Sequence, residues 1–113
     1  MHELSLAESV VQLAADAARR EGARRVRTVI IEIGQLSHVA PEAMAFCFES
    51  VAAGTPVDGA RLEILTVSGE GQCRSCGTRM PMDDVYGVCP DCGGIDLDPT
   101  AGTEMRVKAI EIE

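Results

Sequence analysis

Aromatic residues are nearly missing from this chain of 113 residues: it has no tryptophan, one tyrosine and two phenylalanines. Proteins that hold single-stranded nucleic acid stack bases on aromatic side chains set among basic ones, and this composition offers no such surface. Positive charge is scarce as well. Asp and Glu outnumber Lys and Arg by 18 to 10, for a formal net charge of −8, whereas neutralising backbone phosphates demands the opposite balance. No nucleic-acid partner is therefore expected. The one basic cluster, Arg19, Arg20, Arg24, Arg25 and Arg27, reads as a solvated helix end followed by the start of a strand. No stretch approaches the roughly 20 apolar residues of a membrane span. No basic leader or apolar run opens the chain, where Glu3 and Glu8 come early, so a cytoplasmic protein without a membrane partner is expected.

What is present fits one small domain. Leu6, Val10, Leu13, Ala14 and Ala17 recur on one face of a 3.6-residue period, which predicts a helix from about Leu4 to Glu21. Ser5 with Glu8 matches a capping box, and Gly22 suits a left-handed terminator. A strand is predicted over Val26 to Ile33, with Val29, Ile31 and Ile33 on one face. Pro41 opens a second predicted helix, Pro41 to Ala53, with Met44, Cys47, Phe48 and Val51 as its buried stripe. Further strands are predicted at Ala60 to Val67 and Glu104 to Ile112, the latter with a phase switch between Val107, Ala109 and Ile110, Ile112 that hints at a bulge. Ser68 to Gly71 and Pro99 to Gly102 read as connecting loops. The fold class expected is α+β: two helices on a three-stranded sheet, with a projecting zinc-ribbon lobe inserted before the last strand.

Five cysteines occur, four of them in two C-x-x-C pairs. An odd count with paired spacing points to metal ligation in preference to a disulfide framework. Cys73 and Cys76 are followed, after twelve intervening residues, by Cys89 and Cys92. Each pair supplies two soft thiolates from one tight knuckle, and two knuckles close a tetrahedron suited to zinc. Gly77, Gly93 and Gly94 let the knuckle backbones turn so that amides face the sulfurs, and Pro90 stiffens the second. Four protein ligands leave no open position for water, which argues for a structural metal and against an enzyme. The same four thiolates also suit an iron centre of the rubredoxin kind or a thiol–disulfide switch. Cys47, on an apolar helix stripe, reads as a small core residue.

The first residues, Met1, His2 and Glu3, permit different chemistry. A free α-amine, the following amides and an imidazole can present a planar nitrogen field, which suits Ni(II) or Cu(II) and does not suit zinc. The first amides of a helix lack intrahelical partners and are free to serve. The alternative is an exposed histidine at a chain end. His38 reads as a solvent-facing loop histidine that could lend a second imidazole.

Taken together, these residues carry a family resemblance. The chain resembles the HypA/HybF family through Met1-His2-Glu3-Leu4-Ser5-Leu6, through Ile33-Gly34-Gln35-Leu36-Ser37 with Val39, Pro41 and Glu42, through Phe46-Cys47-Phe48-Glu49, and through the two cysteine pairs at their separation. The resemblance covers essentially the whole chain. It implies a nickel metallochaperone for hydrogenase maturation, with some members also supporting urease. It further implies nickel as cargo at Met1, His2 and Glu3, with His2 as the main ligand, and structural zinc at Cys73, Cys76, Cys89 and Cys92. The partners it implies are the GTPase HypB and the hydrogenase large-subunit precursor. On this reading residues 1–69 and 99–113 form the nickel-binding body and 70–98 the zinc lobe, in a monomer or weak homodimer. The competing readings are a zinc-ribbon module that binds protein or nucleic acid, and a thiolate-iron electron carrier.

Overall fold

The computed structural model describes residues 2–113, and they fall into two compact units. Along the chain the elements are α1 (His2–Arg20), β1 (Val26–Gly34), α2 (Pro41–Ala52), β2 (Arg61–Val67), β3 (Glu70–Cys73), β4 (Arg79–Pro81), β5 (Leu97–Ala101) and β6 (Met105–Ile112). The class is α+β, as expected, with two helices and two three-stranded sheets. The first sheet has the order β2-β1-β6, so the three strands anticipated from alternation share one sheet with β1 at its centre.

The first unit runs to Glu32 and adds Val39–Leu65 and Arg106–Glu113. In it α1 packs against α2. The contact stripe of α1 differs from the expected one. Ala7, Val10, Val11, Ala14, Ala15 and Ala18 are buried, while Leu13 remains 47% exposed and Leu6 and Ala17 are only half-buried. Small side chains let two helix backbones approach closely, so the alanine-rich face turns inward and the leucine face does not. The helix also begins earlier than Ser5 and Glu8 suggested: Glu3 already lies in its first turn. Its end is as anticipated. Gly22 has φ 67°, Ala23 N–H bonds Ala18 C=O at 2.8 Å and Gly22 N–H bonds Arg19 C=O at 3.1 Å, the paired bonds of a Schellman cap. On α2, Met44, Cys47, Phe48 and Ala52 are buried; Ala52 takes the place expected for Val51, which is half-buried. In β1, Val26, Val29 and Ile31 alternate with more exposed neighbours. Exposure along β6 changes phase between Val107 and Ile110, leaving Ala109 exposed.

The second unit comprises Ile33–His38 and Thr66–Met105. Two segments expected as loops are strands here. β3 takes in Glu70 and Gly71, and β5 takes in Pro99. The sheet order is β4-β3-β5, with β3 antiparallel to both neighbours. Glycine and proline concealed these strands, and each has a physical reason to be there. A Cβ at residue 71 would lie 2.0 Å from Met82 Sδ and 3.1 Å from the Asp98 carbonyl oxygen, so any larger residue would displace the Met82 side chain. Pro99 sits on the edge strand β5, where a missing N–H costs no ladder bond on the open side. The pairing slips between Glu70 and Gly71, so that Glu70 faces Ala101 and Gly71 faces Pro99, which is a bulge in the ladder. Leu36, Cys73, Met80, Met82 and Cys89 form the core of this unit, with Val85 and Leu97 packed against it.

The segment Ile33–His38 is tied into the second unit by backbone bonds. Gly34 N–H bonds Glu104 C=O at 2.8 Å, Gln35 N–H bonds Val67 C=O at 2.8 Å and Leu36 N–H bonds Gly102 C=O at 2.7 Å. Among the described residues, no helix is long and apolar enough to cross a membrane.

Candidate metal centre

Cys73 closes β3, and Cys76 follows in the turn leading to β4. Cys89 and Cys92 occupy a second turn before β5. The two turns are built alike. Cys73 N–H donates to Thr78 C=O at 2.8 Å and Gly77 N–H donates to Cys73 C=O at 2.9 Å; Cys89 N–H donates to Gly94 C=O at 2.8 Å and Gly93 N–H donates to Cys89 C=O at 2.9 Å. Gly77 and Gly93 stand at matching positions with φ 81° and 75°, a left-handed conformation that glycine adopts without penalty. The knuckle is thus a repeated local structure, legible in the C-x-x-C-G spacing.

The second knuckle lies against the first with the order crossed. Cys73 Sγ is 3.6 Å from Cys92 Sγ, and Cys76 Sγ is 3.6 Å from Cys89 Sγ. All four sulfurs lie within 4.8 Å of one another. Four thiolates at about 2.3 Å from a tetrahedral zinc stand about 3.8 Å apart, so the donor set fits that ion with little adjustment. Cys73 and Cys89 are buried, whereas Cys76 and Cys92 face solvent.

Local electrostatics favours one anionic sulfur and resists a full set. Cys76 is pulled down to about 6, first by its bond with the Thr78 side chain and then by the Thr78 amide. Cys73 is lowered by the backbone amides of Cys76 and Ser75, against the effect of burial. At Cys92 the Gly94 N–H, 3.4 Å from the sulfur, favours the thiolate, yet Cys73 and Cys76 oppose it and the group is pushed up to about 12. Four crowded thiolates need a cation among them, and a divalent metal supplies that charge.

Two residues that spacing did not single out hold the knuckles together. Thr78 Oγ1 lies 3.2 Å from Cys76 Sγ and 2.7 Å from Asp91 Oδ2, within hydrogen-bond reach of both. One hydroxyl therefore joins the turn of the first pair to a carboxylate inside the second. Asp91 sits within the C-P-D-C sequence; a polar residue there was the only available signal.

Of the residues considered for a nitrogen site, Met1 lies outside the described residues. His2 is exposed on the first turn of α1. Glu3 is half-buried, and its carboxylate accepts a hydrogen bond from Ala40 N–H at 3.2 Å. That amide, first among several causes, holds the Glu3 carboxyl below its ordinary range. His38 is exposed, belongs to the second unit and adopts φ 63°, uncommon for a residue with a side chain. Cys47 is buried in α2, in keeping with a core role. The basic cluster is solvated, and Arg19 pairs with Asp16 at 3.0 Å while Arg25 pairs with Glu113.

Fold and site together define a small α+β protein with a closed four-thiolate metal centre. The family described as hydrogenase/urease nickel incorporation, metallochaperone, HypA matches residues 1–112. The hydrogenase maturation factor HypA of Dechloromonas aromatica is 58% identical over the full length of both chains, and that of Albidiferax ferrireducens is 55% identical, also over both full lengths. The solution structure of the Ni metallochaperone HypA from Helicobacter pylori superposes with a TM-score of 0.68 at 27% identity, covering 97% of this chain and 96% of that one. A second HypA solution structure gives 0.72 at 28% identity, with 100% and 97% covered. The chain belongs to the HypA family of hydrogenase maturation factors. It is accordingly a metal-handling protein and not an enzyme, with structural zinc and cargo nickel as the metals of its kind.

Proposed function

We propose that this chain binds Ni(II) at its N-terminus through the Met1 amine, the His2 imidazole and the His2 and Glu3 amides, and hands the ion to the hydrogenase large-subunit precursor in the cytoplasm beside the GTPase HypB. The observation that carries the reading is the exposed His2 on the first turn of α1, where backbone amides have no intrahelical partner to lose. Planar nitrogen donors favour Ni(II) and Cu(II), and exposure at a chain end favours quick exchange of ligands. Zinc in this reading occupies Cys73, Cys76, Cys89 and Cys92. Their crossed tetrahedral spacing and the lack of an open coordination position support a metal that maintains shape. The two metals thus have separate tasks: one site is closed and retains its ion, the other is open and releases it. A carrier with so few exposed ligands must meet its acceptor directly.

Nickel titration of the untagged protein tests the N-terminal site. Backbone chelation displaces protons from amides that do not ordinarily titrate near neutrality, in addition to those of an imidazole and an amine. Affinity should fall with decreasing pH by more than one proton per nickel. His2→Ala should abolish binding, and one residue added ahead of Met1 should cripple it while zinc content stays constant. Full affinity in the extended protein, with a shallow pH dependence, would overturn the assignment.

A further inference from the structure

The zinc-bearing unit displays apolar side chains that its own fold does not use. Tyr86 is 86% exposed, Val88 63% and Ile95 79%. Their neighbours face the other way. Val85 and Leu97 pack on the core of the unit, and a Cβ at Gly87 would lie 3.4 Å from Leu97 Cδ1. Tyr86, Gly87 and Val88 are all exposed, between half-buried Val85 and buried Cys89. Ile95 joins them because Cys89 N–H bonds Gly94 C=O at 2.8 Å, which brings the residues flanking that bond, Val88 and Ile95, side by side. Tyr86 lies two residues before Val88, so three exposed apolar residues fall close together at the second knuckle. Isolated exposed apolar residues are ordinary, but a grouped set on a rigid turn marks a contact surface. A tyrosine is a favoured anchor for such contacts, since it brings large area at small entropic cost.

Charge around the group decides what it can meet. From residue 80 to residue 105 the chain has no Lys or Arg, yet contains Asp83, Asp84, Asp91, Asp96, Asp98 and Glu104. Arg74, outside that stretch, is engaged with Asp96 and Asp98, each at 3.3 Å. An acidic rim repels nucleic-acid phosphates, anionic lipid headgroups and a second copy of the same face. It attracts a protein surface of opposite charge, which raises the encounter rate.

We infer that Tyr86, Val88 and Ile95, within their acidic rim, form a docking surface for a protein partner that presents an apolar socket bordered by Lys and Arg. The inference rests on the reading that nickel transfer proceeds by direct protein contact, and it adds where on this chain one contact is made. The group lies in the unit of the four cysteines, so the zinc would hold a recognition surface in shape while the N-terminus carries the cargo.

The test uses the full zinc-loaded chain. The triple variant Tyr86→Ser, Val88→Ser, Ile95→Ser should retain zinc and nickel binding, because none of the three is a ligand or is buried. Binding of purified GTPase and of purified hydrogenase precursor is then measured for the wild type and the variant. At least a tenfold loss toward one of them, with wild-type binding that weakens as salt rises, is expected. Wild-type binding that the variant reproduces for both partners overturns the docking surface and leaves the delivery reading intact. Wild-type protein that binds neither partner overturns the delivery reading. The surface is then judged separately with an amphipathic Leu/Lys peptide and its Leu/Glu counterpart. Amide shifts confined to residues 83–96 with the basic peptide alone sustain it; equal or absent shifts with the two peptides refute it.

Discussion

The carboxylate of Glu3, in the first turn of α1, accepts a hydrogen bond from the backbone N–H of Ala40, 3.2 Å away at the N-cap of α2. Ala40 itself contributes no side-chain cap. In a capping box a Glu at the third helical position reaches back to the N-cap amide; here a glutamate from another helix occupies that role. The first turn of α1 is thereby tied to the start of α2, and negative charge is placed where the α2 dipole welcomes it.

Glu3→Ala should consequently lower the melting temperature of the protein while zinc content is unchanged. Glu3→Gln retains an acceptor oxygen and should lie between the two. If nickel coordination uses the Glu3 amide, Glu3→Ala should weaken nickel by loosening the turn, and much less than His2→Ala does. Identical thermal unfolding of Glu3→Ala and wild type would show that the tie contributes nothing.

Cys76→Ala removes one corner of the four-thiolate set. Zinc binding provides folding free energy on the order of 10 kcal/mol in comparable small sites, so residues of the second unit should become susceptible to protease while α1 and α2 stay protected. Metal analysis with limited proteolysis checks this. A full zinc equivalent in the variant, with native protection, would contradict a four-thiolate site.

Gly34 and Gly22 separate two demands on glycine. A Cβ at residue 34 would lie 2.1 Å from the carbonyl oxygen of Gly102, whereas at Gly22, with φ 67°, it meets nothing within 4 Å. Gly34→Ala forces backbones apart and should cost about 3 kcal/mol or more. Gly22→Ala incurs only the left-handed strain, about 1 kcal/mol. Denaturant titration of the zinc-loaded proteins should rank them in that order; the reverse ranking would discredit the close approach of residues 34 and 102.

Arg106 Nε donates to Glu32 Oε1 at 2.6 Å, and that bond lowers the Glu32 carboxyl below its ordinary value. A carboxyl depressed in the folded state stabilises the fold above its unfolded pKa, near ~4.3, and this contribution disappears as pH falls through the depressed value. Glu32→Gln should therefore reduce stability at neutral pH and flatten the acid limb of the stability profile. Equal slopes for the two proteins between about pH 5 and the acid midpoint would argue that the pair is without effect.

The sequence by itself determined whatever is encoded within a few neighbouring residues. C-x-x-C-G dictates a knuckle, because the glycine conformation and two short-range hydrogen bonds shape the turn. Gly22 dictates where α1 stops, alternation in Val29 to Ile33 dictates a half-buried strand, and the excess of acid sets the kind of surface the chain shows. Tertiary structure decided which partners those local pieces take. It turned the alanine face of α1 inward, since helix approach depends on the size of side chains on both helices. It made strands of Glu70–Cys73 and Leu97–Ala101, where Gly71 leaves room for Met82 and Pro99 sits on a sheet edge. It paired Cys73 with Cys92 and Cys76 with Cys89, brought Thr78 to Asp91, and drew Ile33–His38 into the unit of the cysteines. Each of these joins residues far apart in the chain. Such contacts form only when packing gains exceed the entropy of closing the intervening loops, and that balance is a property of the whole fold and not of any short segment.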